Sequence, residues 1–240
     1  MTLSPQPLSP QTLSPRALSR RSTQQERMDT DCVDFDDYRR CLRDLSRVNV
    51  ATLTHRPMLA WLAQHATEEF SVLDIACGHG DALRKIRACY PRARLTGIDL
   101  NPWATRAARE ATDPAAGIAF INGDAFAYVP ERKFDFIITS QFTHHLTDEQ
   151  VVAFLRWLME NAGRGWFISD LHRHAIAYYG FPLLARLMFW HRFVREDGQI
   201  SIARSFVRAE WEALLRQAGI TEQQAAITWH IPFRLCVATR

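Results

Sequence analysis

The sequence predicts an α/β fold built on a mostly parallel, seven-stranded sheet with helices on both faces. Three observations carry the prediction. Between residues 71 and 170, short apolar, β-rich runs alternate with amphipathic helical patterns; this order covers both faces of a parallel sheet. The run Val72-Leu73-Asp74-Ile75-Ala76-Cys77-Gly78-His79-Gly80-Asp81 reads as a strand turning tightly into a helix. Such a turn sets backbone N–H groups and a helix N-terminus beside a ligand. Two further strand-like runs close the chain after a last helix.

Taken in order, Phe35, Tyr38, Leu42, Leu45 and Val48 recur at helical spacing over residues 35–49. Residues 54–66 read as a second helix, with Pro57 in its first turn. Strands are expected at 71–76, 94–99, 118–122, 134–140 and 165–170, and helices at 81–89, 102–111 and 148–161. A long aromatic segment runs from His172 to Val194, and Glu196-Asp197-Gly198 has the composition of a turn. A helix over 207–218 stops at Gly219, and strands at 220–230 and 233–239 complete the sheet.

The 240 residues suit one domain with an elaboration, and a hydrophobic fraction of 47% is ample for a core. Net charge is +3, from 29 basic and 26 acidic residues. That balance leaves no electrostatic footprint for nucleic acid. The five cysteines lie far apart with no CxxC pair, which indicates a reducing compartment and a cytoplasmic protein. The N-terminus differs: Leu-Ser-Pro recurs at Leu3, Leu8 and Leu13, and Leu18-Ser19 continues the period. Disorder is expected over residues 1–30, because this composition buries too little area to offset ordering entropy. Arg16, Arg20 and Arg21 with no acid before Glu26 mimic an organelle transit peptide, and Met28 is an alternative start. A functionless tail is preferred to a targeting segment. Residues 31–69 are expected to be N-terminal helices, and 70–240 the ligand-binding domain with a helical insertion at 172–195.

The strand ends carry the chemistry. Asp99 follows Gly78 by twenty-one residues, where a carboxylate can accept from both hydroxyls of a ribose. A dinucleotide site uses the same device but wants a third glycine, and Leu83 stands there. It also wants no acid beside a pyrophosphate, yet Asp74 precedes the glycines and Asp81 follows them. Such carboxylates suit a cationic, phosphate-free nucleoside. S-adenosylmethionine is one.

Four motifs occur in order: Val-Leu-Asp-Ile-Ala-Cys-Gly-His-Gly (72–80), Gly-Ile-Asp-Leu-Asn (97–101), Asn-Gly-Asp-Ala-Phe (122–126) and Phe-Asp-Phe-Ile-Ile-Thr-Ser-Gln (134–141). They resemble the successive signatures of class I S-adenosylmethionine-dependent methyltransferases, over roughly residues 70–240. The small-molecule group is the most similar, including quinone-biosynthesis and natural-product tailoring enzymes. The resemblance implies a Rossmann-like fold with an antiparallel last strand and S-adenosylmethionine as cofactor. It implies that Asp74 takes the methionine amino group, with backbone contacts from Ala76 and Gly78 in the Gly78/Gly80 turn. Asp99 would hold the ribose hydroxyls and Leu100 would pack on adenine. Asp124 would accept from the adenine amino group beside Ala125, with Ser140 and Gln141 next to the methyl group. His79 between the glycines, Ala76 and the Asn161-Ala-Gly-Arg-Gly165 turn depart from the family pattern.

Gln141-Phe-Thr-His144-His145 replaces the Asn/Asp-Pro-Pro motif of nucleic-acid amino-methyltransferases. His144 and His145 are the catalytic candidates, as bases for a hydroxyl. The alternative is that one of them packs on the cofactor or caps a helix. Asp170, His172 and His174 are acceptor-contact candidates, as are Tyr178, Tyr179 and Met188 in the aromatic insertion, read as a helical lid over an apolar pocket. The insertion is too charged and broken to span a membrane, so no stable membrane insertion is expected. No metal is assigned. The expected reaction is O-methylation of a phenolic or polyketide-type hydroxyl on a small apolar or aromatic acceptor. Alternatives are C-methylation of a quinone-like ring, an NAD-dependent oxidoreductase and a non-catalytic S-adenosylmethionine-binding protein. A homodimer stays open.

Overall fold

The computed structural model describes residues 18–31 and 34–240. Strands β1 (Ser71–Ile75), β2 (Arg94–Asp99), β3 (Ile118–Asn122), β4 (Phe134–Ser140), β5 (Ala162–Leu171), β6 (Ala225–His230) and β7 (Arg234–Thr239) form one sheet ordered β3-β2-β1-β4-β5-β7-β6. β1 to β5 run parallel, and β7 is antiparallel to both neighbours. The expected mixed sheet with its reversed last strand is therefore present. Strand order reverses between β1 and β4, the switch point where such sheets bind ligands.

β1 is buried along its whole length, which is why it reads as a continuous apolar run rather than an alternating one. On one face, α3 (Arg56–His65), α4 (Asp81–Cys89) and α5 (Pro102–Glu110) pack Trp61, Leu83, Ile86 and Ala108 against Val72, Leu95 and Phe136. On the other, α6 (Asp148–Asn161) and α9 (Arg208–Ala218) bring Phe154, Leu155, Trp211 and Leu214 onto Leu73, Ile137 and Trp166. α6 starts at a capping box, Thr147 with Gln150, a strong local start signal. α2 (Phe35–Ala51), α7 (Ala175–Leu187), α8 (Arg192–Arg204) and the short α1 (Arg27–Asp31) join in a separate cluster of Cys41, Val48, Ala185, Trp190 and Phe193.

Two expectations need correction. Glu196-Asp197-Gly198 is not a turn but the middle of α8, so the insertion runs on to Arg204. Gly198 is there because α7 lies close: a Cβ at this position would overlap the Phe181 ring. Asp197 is buried, and its carboxylate accepts from the backbone N–H groups of Arg27 and Met28 at 2.8 Å each, capping α1 from outside. Gly198→Ala is expected to lower the melting temperature by a few degrees, checked by calorimetry. Overpacking of about 1–3 kcal/mol outweighs the gain in helix propensity of about 1 kcal/mol.

The second correction concerns the disorder expected up to residue 30. Residues 1–17 lie outside the described residues, but from Leu18 the chain is fastened across the molecule. Ser22 N–H donates to Ala203 O at 2.9 Å. Arg21 donates to Arg204 O and Leu146 O at 2.8 Å each and lies 3.8 Å over the Phe206 ring. Long-range hydrogen bonds, not local propensity, hold this segment.

Smaller differences follow the same physics. β5 begins at Ala162, three residues before the expected start. β6 begins at Ala225, after a turn in which Gln224 Oε1 accepts from Thr221 N–H at 2.9 Å. No helix among the described residues is long and apolar enough to cross a membrane.

Candidate active site

The turn after β1 is shaped by backbone conformation. Ala76, Gly78 and Gly80 all have positive φ, at 54°, 51° and 73°. A side chain on Gly80 would come within 2.7 Å of the Phe120 ring, so only glycine lets the turn seat there. Gly78 N–H donates to Asp99 Oδ2 and Asn101 N–H to Asp99 Oδ1, both at 2.9 Å. The carboxylate at the end of β2 thereby ties down the glycine turn and retains lone pairs for a ligand.

Three acids surround this turn. Asp74 is buried, and burial, then the charges of Asp81 and Asp99, push its carboxyl well above the usual range. Burial would also raise Asp81, but hydrogen bonds from His55 at 2.7 Å and Asn49 at 3.0 Å hold it down at about 2. Burial raises Asp99, against its two backbone donors. A pocket of carboxylates with one left uncompensated is matched by a bound cation and opposed to a phosphate.

The other donor-side candidates meet at the same edge. Leu100 is 75% exposed at the end of β2. After β3, exposed Asp124 accepts from Phe126 N–H at 2.9 Å, and Ala125 packs half-buried on the core. Ser140 ends β4 with its Oγ buried and unpartnered among the described residues. Gln141 follows at φ 56° and donates from Nε2 to Asn49 Oδ1 at 2.7 Å. Asn49 therefore bridges Asp81 and Gln141. Sequence reasoning missed Asn49 and His55, which lie at the end of α2 and just before α3. Their only signal was polar side chains flanking an apolar helix face.

The histidines are placed otherwise than expected. His144 is buried, with Nδ1 2.7 Å from Asp170 Oδ1 and Nε2 3.2 Å from Glu26 Oε1. Asp170 is fully buried and also accepts from His144 N–H at 2.9 Å and from Thr143 Oγ1. Burial alone would lower His144, but Asp170 and then Glu26 raise it to about 9. Burial would raise Asp170 and Glu26, yet His144 holds each at about 2. His145 Nε2 is 3.7 Å from Glu26, and burial with the neighbouring His144 charge lowers it to about 4. Glu26, His144 and His145 put ligand atoms within 4.8 Å of one another, a set that a metal can use. The proton on His144, held between two carboxylates, competes with that use.

An apolar cavity of about 280 Å³ lies beside these groups, walled by α2, α7, α8 and the start of β7. Gln141 lines it, joined by Glu26, Met28, Phe181, Phe193 and Arg234. Neither catalytic candidate, His144 or His145, is among its lining residues, and neither is any of the six acceptor-contact candidates. The reasons are visible. Asp170 serves His144. His172 pairs with Phe206 in a β-bridge. His174 caps α7 through Ile176 N–H at 3.2 Å and stacks on Phe233. Tyr178 is buried between α7 and α8, and Tyr179 and Met188 are each 50% exposed. Arg173 in the same cluster pairs with Glu210 at 2.6 Å. The aromatic insertion does wall the cavity, but through the face carrying Ile176, Ala177, Gly180, Phe181 and Leu184.

Residues 72–165 match the family model described as a methyltransferase domain. Malonyl-[acyl-carrier protein] O-methyltransferase 1 of Ilyobacter polytropus is 29% identical over 87 residues, 36% of this chain and 32% of that protein. Flavonoid 4'-O-methyltransferase 4 of Mentha piperita is 26% identical over 170 residues, 63% of this chain and 42% of that protein. The chain thus spans about a third to two-fifths of the length of these curated relatives. The fold is similar to that of the plantazolicin methyltransferase BpumL in complex with S-adenosylhomocysteine, with a TM-score of 0.59, 17% identity and 94% of each chain covered. Four ordered motifs, the reversed seventh strand, the acid-ringed glycine turn and the matched domain agree: residues 72–165 match a methyltransferase domain, on a fold similar to that of solved methyltransferases.

Proposed function

We propose that this protein transfers a methyl group from S-adenosylmethionine to an oxygen of a small, largely apolar acceptor. One observation carries the reading: Gln141 closes the donor edge through Asn49 and also lines the apolar cavity. Donor and acceptor sites therefore meet at the end of β4. In this reading Asp74 binds the amino group, with Ala76 and Gly78 along the methionine portion. Asp99 binds the ribose hydroxyls. Leu100, Asp124 and Ala125 surround adenine, and Ser140 and Gln141 flank the methyl group. Gly80 permits the turn.

When bound, S-adenosylmethionine supplies a methyl group already activated by its sulfonium. The protein contributes alignment and the exclusion of water. The O-methyltransferase names of the two relatives favour oxygen over ring carbon as the acceptor atom. Calorimetric titration tests the donor. S-adenosylhomocysteine is expected to bind, and NAD is not. NAD binding without S-adenosylhomocysteine binding would overturn the reading in favour of an oxidoreductase.

A further inference from the structure

Arg234 opens β7 and lines the apolar cavity, yet only 2% of it is exposed. Its Nη2 donates to Thr54 Oγ1 at 2.7 Å. Its Nε and Nη1, which together carry three N–H bonds, have no partner among the described residues. A buried guanidinium in this state is costly, because its lost hydration is not replaced. The neighbouring acids are already engaged. Both oxygens of Asp197 take backbone N–H groups of α1. Glu26 takes Ser201 Oγ at 2.7 Å and His144. Asp170 takes His144 and Thr143. The arginine is held in place: Thr52 Oγ1 donates to Val48 O, leaving its oxygen for Thr54, whose hydroxyl oxygen accepts from Arg234.

Among the described residues the cavity is lined by no histidine, the usual base for a hydroxyl. Its titratable side chains among the described residues are Glu26, Cys41, Asp197 and Arg234. Glu26 is held ionised at about 2, far too weak a base to take a proton from a hydroxyl. An acceptor oxygen that enters already ionised removes the need. We infer that the acceptor is an apolar carboxylic acid, its carboxylate held by the Arg234 guanidinium at the cavity wall. This rests on the methyltransferase reading and names its substrate class. Transfer forms a bond from a carboxylate oxygen to the methyl carbon and breaks the methyl–sulfur bond, whose electron pair stays on sulfur. A methyl ester and S-adenosylhomocysteine result, and no proton is released.

The test uses the full chain with saturating S-adenosylhomocysteine and two probe pairs, 2-naphthoate against 2-naphthamide and cinnamate against cinnamamide. Calorimetry is expected to show each acid binding the wild type at least about tenfold more tightly than its amide, the scale of a charge-assisted hydrogen bond. Arg234→Met should abolish that preference, and Arg234→Lys should retain part of it. Because Arg234→Met removes an uncompensated charge, its melting temperature should rise by a few degrees. Equal binding of acid and amide, no binding of either acid, or a lower melting temperature in Arg234→Met would each overturn the inference. S-adenosylhomocysteine affinity is measured in the same series. Its absence in the wild type defeats the methyltransferase reading itself, whereas its presence without acid preference defeats only the carboxylate anchor.

Discussion

Asp170→Asn is expected to lower the melting temperature by about 10 °C. Asp170 is fully buried and carries His144 on one oxygen, with Thr143 and the His144 backbone on the other. Removing one charge of a buried pair costs about 3–5 kcal/mol, and a chain of this length loses about 2–4 °C per kcal/mol. Differential scanning calorimetry measures it. A shift under about 2 °C would show that His144 is neutral and that the cluster is an ordinary hydrogen-bonded core.

The sign of the pH response follows from the same groups. His144 is raised to about 9 from an ordinary 6.5, so its contribution is complete below 6.5 and is lost as pH climbs through 9. Asp170 and Glu26 are lowered to about 2, so theirs is complete above 4.5 and is lost as pH falls through 2. His145, lowered to about 4, adds stability as pH rises from 4 to 6.5. The contribution of this cluster should therefore be largest near pH 6.5. Asp170→Asn should flatten the decline between 6.5 and 9.

Asp99→Ala is expected to weaken S-adenosylhomocysteine binding about a hundredfold or more. Two hydrogen bonds from ribose hydroxyls to a carboxylate are worth about 1.5–3 kcal/mol each. The same substitution frees the N–H groups of Gly78 and Asn101, loosening the glycine turn at its anchor. Isothermal titration reads the affinity, and an unchanged value would remove Asp99 from the donor site.

The sheet was legible because its signals are local. β2, β3, β4, α4 and α6 begin and end at the residues that their apolar runs and capping residues indicate. The positions of Asp99 and Ser140 at strand ends were legible for the same reason, and Asp74 and Asp124 lie within two residues of one. α8 was not, because Glu-Asp-Gly has the composition of a turn until Phe181 and the α1 backbone are set against it. Glu26 was hidden in a polar stretch 118 residues from His144. Arg234 left a signal that went unused: it alternates with Cys236 and Ala238 in an otherwise apolar strand, which puts a charge on a buried face.

The segment from Leu18 to Asp31 is made early and placed late. Its partners Asp197, Ser201, Ala203 and Arg204 leave the ribosome more than 160 residues after it. The strands β1 to β5 emerge in between, with near neighbours to pair with. Contacts of such sequence separation close slowly. The wall formed by Glu26 and Met28 therefore cannot close over the cavity until α8 has been made.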